Sequence, residues 1–136
     1  MKLIEHKIED ILNENNIDLS KMQFVVLKTI AENDGISQNE LAVYANRDKS
    51  SLTRMINTII TKGYIIKCSS ELDKRKNHIH LTKKGEKILE KAIPHFREMA
   101  KTIEKNISKE EIESVKKVLK TIQKNVTDEK VGSFFN

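Results

Sequence analysis

From Asp48 to Lys62, at about 100° per residue, Ser50, Thr53, Arg54, Asn57, Thr58 and Thr61 share one side of a helix. Leu52, Met55, Ile56, Ile59 and Ile60 share the other. The polar side offers hydroxyls, an amide and a guanidinium, and no carboxylate occurs between Lys49 and Ser70. A helix face that only meets water mixes Glu among its Lys. Hydroxyls, amides and arginine without acids are the groups that hydrogen-bond base edges and phosphate oxygens. Ser50, Arg54, Asn57 and Thr61 lie nearly opposite the apolar stripe, so that side predicts a polymer-reading surface rather than a catalytic one.

Such a face works only if its helix is held out from a scaffold. A short helix beginning at Ser37, a tight turn through Ala45 and Asn46, and the helix beginning at Asp48 form a helix-turn-helix pattern. In that geometry the N-terminal half of the second helix enters a major groove. Ser50, Thr53, Arg54 and Asn57 are therefore the base-facing candidates, while Thr58 and Thr61 lie too far toward the C-terminus. Ser37 and Gln38 open the first helix, where free N–H groups can hold a phosphate. An ordinary helical pair would show the same pattern up to this point.

Beyond Gly63 the periodicity changes. Tyr64 to Ser69 and His78 to Leu81 read as two short strands, Ile79 and Leu81 alternating with His78 and His80. The loop between them carries Asp73, Lys74, Arg75 and Lys76, and a basic loop directly after a candidate recognition helix is the wing of a winged helix. Arg75 can enter a minor groove, with Asp73 orienting its guanidinium. A solvated charged turn is the alternative reading of the same loop.

Helix starts are legible from capping chemistry. Ser20 with Gln23, Ser37 with Glu40, and Ser108 with Glu111 fit capping boxes, flanked by the staple pairs Leu19 and Phe24, Ile36 and Leu41, and Ile107 and Ile112. Asp48 and Thr82 are further N-caps. The spacing predicts helices near 2–15, 20–33, 37–45, 48–62, 82–106 and 108–126, the fifth containing Pro94, with a frayed tail from Thr127. Ile112, Val115, Leu119, Ile122 and Val126 form a heptad-like seam. With the apolar sides of the first and fifth helices it makes more apolar surface than one small monomer covers, which predicts a homodimer.

Composition narrows the class. The 136 residues include 25 Lys and Arg against 20 Asp and Glu, for a net charge of +5. The balance is −3 over residues 1–35, +6 over 36–85 and +2 over 86–136, so the middle segment holds more than the whole excess. A general bias toward Lys, Ile and Asn could supply the lysines. It does not account for Arg47, Arg54 and Arg75, three of the four arginines, falling there. Aromatics at 4% argue against a stacking platform for single strands. The single Cys68 excludes an intramolecular disulfide and reads as a small core filler on its strand. His78 and His80 share a strand face but make a weak metal pair without a third ligand, and read better as exposed histidines near DNA. No phosphate loop, nucleophile elbow or metal-binding helix motif is present, so neither an enzyme nor a bound cofactor is expected. No leader-like stretch follows Met1 and no run approaches the ~20 apolar residues that span a bilayer, which predicts a cytoplasmic protein.

From Leu19 to Gly85 the sequence resembles the MarR family of transcriptional regulators. The resemblance runs through Gln23 and Leu27, then Gln38, Glu40, Leu41 and Ala42, then Asp48, Lys49, Leu52, Thr53, Arg54, Met55 and Ile56, then Lys62, Gly63 and Tyr64. Its most specific part is Asp73, Arg75, Leu81, Thr82 and Gly85, at the spacing of the family's wing. It implies a mostly α-helical chain with a small β-hairpin, a winged helix-turn-helix domain over 20–85 flanked by dimerisation helices at 1–19 and 86–136. It also implies a homodimer on a pseudo-palindromic double-stranded operator, usually a repressor released by a small-molecule effector. The segment before Ser20 is shorter than in many members, which bears on the N-terminal share of the dimer interface. The candidate DNA contacts are Ser37, Gln38, Arg47, Lys49, Ser50, Ser51, Thr53, Arg54, Asn57, Asp73, Lys74, Arg75 and Lys76. The competing function is a winged-helix module that binds protein. It should place apolar or acidic residues among Ser50, Thr53, Arg54 and Asn57.

Overall fold

A computed structural model describes residues 2–45, 48–69 and 77–126, without the side chains of Gln123 and Val126. The elements are α1 (Lys2–Glu14), α2 (Lys21–Glu32), β1 (Ile36–Ser37), α3 (Gln38–Ala45), α4 (Lys49–Thr61), β2 (Ile65–Ser69), β3 (Asn77–Leu81), α5 (Lys83–Ile103) and α6 (Lys109–Val126). Arg47, Asp73, Lys74, Arg75 and Lys76 lie outside the described residues, as do Asn46 and the tail from Thr127.

The caps organise the chain. Ser20 and Gln23 exchange both bonds of a capping box, at 3.0 and 3.2 Å. Ser37 with Glu40 and Ser108 with Glu111 do the same. Asp48 Oδ1 accepts from the Ser51 N–H at 2.8 Å, and Thr82 Oγ1 from the Gly85 N–H at 3.0 Å. Gly35 and Gly63, both at φ +75°, make the left-handed turns that stop α2 and α4. Helix α5 ends at Ile103, earlier than the spacing predicts, because Asn106 turns left-handed at φ 64° before the next cap.

The hairpin gains a third strand. Ile36 and Ser37 pair antiparallel with Ile79 and His78, giving the order β1-β3-β2. Two residues carry no periodicity, so nothing local announces β1; Ser37 serves both as its last residue and as the cap of α3. In β2, Ile65 and Lys67 point inward, which puts Ile66 and Cys68 on the outer side. Cys68 is therefore exposed, not a core filler. Opposite it, His78 donates Nδ1–H to the Gly35 carbonyl at 2.7 Å, and His80 donates to Asp34 Oδ1 at 2.8 Å. Both histidines are half-buried against the α2–β1 turn rather than exposed.

One core joins the winged region to α1 and α5. Leu27, Ile30, Leu41, Leu52, Ile56, Ile59 and Ile79 are fully buried at its centre. Each such side chain contributes roughly 1.5–3 kcal/mol relative to exposure. Phe24 of α2 stacks on Phe96 of α5 with ring centroids 3.7 Å apart. Much of the α5 stripe is thus consumed within the chain. Helix α6 differs: Val115, Leu119 and Ile122 are 58%, 41% and 53% exposed, and Ile107 of the third staple is exposed as well.

Candidate nucleic-acid interface

Helix α4 is amphipathic in the sense its sequence dictates. Leu52, Ile56 and Ile59 are buried, whereas Lys49, Ser50, Arg54, Asn57, Thr58 and Thr61 are exposed. Among the described residues Arg54 pairs with no carboxylate, so its guanidinium is available to an outside acceptor. Along the flank of α4 an open cleft of about 520 Å³ is lined by Ser20, Asp48, Ser50, Ser51, Arg54 and Thr58. Thr58 and Thr61 return their hydroxyl protons to the carbonyls of Arg54 and Asn57.

Two of the candidates are engaged with each other. Gln38 Nε2 donates to Thr53 Oγ1 at 2.7 Å, and Thr53 Oγ1 donates to the Lys49 carbonyl, also at 2.7 Å. Ser37 is taken up by its own cap: its hydroxyl and its N–H both donate to Glu40 Oε2, at 2.6 and 2.9 Å. A phosphate at Ser37 would have to displace that carboxylate. Ser51 is half-buried, its N–H on Asp48. Ser50, Arg54 and Asn57, with Lys49 beside them, are therefore the candidates that α4 exposes with no hydrogen-bond partner for the side chain among the described residues.

The far end of α4 is anchored by residues that sequence reasoning did not assign to the site. Lys62 Nζ donates to Asp18 Oδ1 at 2.7 Å, to the Asp18 carbonyl at 3.0 Å and to Gln23 Oε1 at 3.2 Å. The Lys62 carbonyl accepts from Lys84 Nζ at 2.7 Å, and Thr82 Oγ1 donates to the Gly63 carbonyl at 2.6 Å. These bonds tie α4 to the start of α2 and to α5. Burial, with Asp18 adding to it, raises the Tyr64 phenol above its ordinary 10.0, so it stays protonated within this joint. Among the described residues no group of His, Cys, Asp or Glu is arranged to hold a metal, and no helix is long and apolar enough to cross a membrane.

Comparison with known proteins agrees with this architecture. The MarR family profile matches residues 19–76. The transcriptional regulator HosA of Escherichia coli O157:H7 is 38% identical over 77 residues, 57% of each chain, so the match spans little more than half of that relative. A MarR protein from Peptoclostridium difficile is 31% identical, with a TM-score of 0.75 over 86% of this chain and 76% of that one. A mutant MarR from E. coli in complex with operator DNA is 27% identical, with a TM-score of 0.76 over 89% of both chains. The three-stranded winged helix-turn-helix and the sequence similarity lead to one assignment: the chain belongs to the MarR family.

Proposed function

We propose that this protein is a sequence-specific regulator of transcription that binds double-stranded DNA as a homodimer, α4 lying in the major groove and Arg75 of the wing in the adjacent minor groove. The observation that carries the reading is the exposed, acid-free face of Ser50, Arg54 and Asn57 on the second helix of a helix-turn-helix. A protein-docking version of that face would carry apolar groups or acids; it has neither. Support also comes from the E. coli relative solved with operator DNA. The basic middle segment supplies the sequence-independent attraction to phosphate.

Dimerisation is supported by the apolar stripe on α6, exposed in the single chain together with Leu3 and Ile103. On this reading residues 20–85 contact DNA, and 1–19 and 86–136 join the two copies. The proposal extends to repression relieved by a small-molecule effector, which the family resemblance supports, and to a cytoplasmic location, which a DNA-binding role supports. The test is selection of bound duplexes from a random pool by the full chain. The reading expects a palindromic consensus with half-sites about one helical turn apart. Recovery of no consensus contradicts it.

A further inference from the structure

The sequence marks Gln38 as a phosphate contact, yet its amide is spent inside the protein. Its Nε2 donates to Thr53 Oγ1 on α4 at 2.7 Å, and its Oε1 accepts from Lys67 Nζ on β2 at 3.0 Å. The arrangement allows only one orientation of the amide. Lys67 has donors alone and must meet the oxygen, while Thr53 gives its proton to the Lys49 carbonyl and must accept from the nitrogen. All three side chains are half-buried, so water competes only partly for these bonds. Thr53 lies in the second turn of α4, and Lys67 lies two residues before β2 ends at Ser69 and the chain enters the wing loop. The network spans three elements through side chains 15 and 29 residues apart.

We propose that Gln38 is a positioning residue: it locks the recognition helix and the base of the wing into one rigid unit through Thr53 and Lys67, and does not itself read DNA. This rests on the function proposed above, in which α4 and the wing engage neighbouring grooves. Their contact points can match the DNA only if the angle between α4 and β2 is fixed. Leu52, Ile56 and Ile59 seat α4 in the core and the Lys62 contacts hold its far end, which leaves the tilt of its N-terminal half against β2 to be fixed. The strut fixes that tilt, so Lys67 acts as an internal partner although it belongs to the basic segment.

The experiment uses the full chain and the duplex that the wild type selects. Affinities of Gln38→Ala, Thr53→Val, their combination, Thr53→Ser and Lys67→Met are measured by fluorescence anisotropy over a range of salt, with urea unfolding to check folding. The strut predicts that Gln38→Ala and Thr53→Val each weaken binding about tenfold and that the pair is no worse than about twice the weaker single variant. Thr53→Ser, which keeps Oγ1, stays near wild type. Lys67→Met leaves the salt slope unchanged, whereas a phosphate-contacting lysine would lower it by about 0.9. Should Gln38→Ala fail to fold, Gln38→Met, which keeps the side-chain length, takes its place. Multiplicative losses, a Thr53→Ser defect equal to that of Thr53→Val, or a reduced slope for Lys67→Met would overturn the strut while leaving the DNA reading intact. A wild type that selects no duplex would overturn both.

Discussion

Gly85→Ala tests the joint that seats α5 on the end of α4. A Cβ built at Gly85 would stand 2.0 Å from the Tyr64 carbonyl oxygen, 2.9 Å from its carbon and 3.2 Å from its Cα. Even a C–H···O contact needs about 3.3–3.6 Å, so backbone on one side must retreat by more than ~1 Å. Neither side is free to move. The Tyr64 carbonyl accepts from the Thr82 N–H at 3.0 Å, and the Gly85 N–H is held by Thr82 Oγ1, which also bonds Gly63. Overpacking costs roughly 1–3 kcal/mol. A broken Thr82–Tyr64 bond adds about 1 kcal/mol. The better helix propensity of Ala returns about 1 kcal/mol, and less in the first turn. The net is a loss of about 1–3 kcal/mol, or near 4–11 °C in Tm for a chain of this size. Urea and thermal unfolding by circular dichroism, at one fixed protein concentration, measure it. A variant within about 0.5 kcal/mol of wild type, or above it, would refute the steric reasoning, since surface substitutions ordinarily fall in that range.

Arg75→Ala should weaken operator binding and flatten its salt dependence by about 0.9 in log K against log salt for each phosphate the side chain had neutralised; unchanged binding at moderate salt removes the wing from the interface. Deleting Ile112 to Asn136 should yield a monomer or an unfolded chain by analytical ultracentrifugation, and a stable folded dimer without that segment would contradict the α6 seam. Because the Tyr64 phenol ionises above 10.0 in the fold and near 10.0 when unfolded, its contribution to stability is full below pH 10 and is lost as pH rises through the raised value. Tyr64→Phe should make the alkaline decline in unfolding free energy shallower. An identical slope in the variant would show that another group governs the decline.

Most of the architecture is legible because it is written in short-range chemistry. The three Ser-based capping boxes, the Asp48 and Thr82 caps and the left-handed Gly35 and Gly63 turns each depend on residues within four positions of one another. The 3.6-residue period does the same for α4, which is why Ser50, Arg54 and Asn57 are found facing outward. What escapes local reading is decided by pairing between distant segments. Strand β1 exists through its register with β3, and the exposure of Cys68 depends on which face of β2 meets the core. The Gln38–Thr53–Lys67 and Lys62–Asp18–Gln23 networks join residues 15 to 44 positions apart. Gln23, Lys62, Tyr64 and Gly85 carry family resemblance in the sequence without a stated reason. The fold supplies one, as they hold the end of α4 and the start of α5.

The central claim is that the outward face of α4 reads bases, and the affinity ratio between the selected operator and a random duplex tests it most directly. Arg54→Ala and Asn57→Ala should each cost about 1–3 kcal/mol on the operator and much less on random DNA, so the ratio collapses. Equal losses on both duplexes, leaving the ratio unchanged, would contradict base readout by this helix.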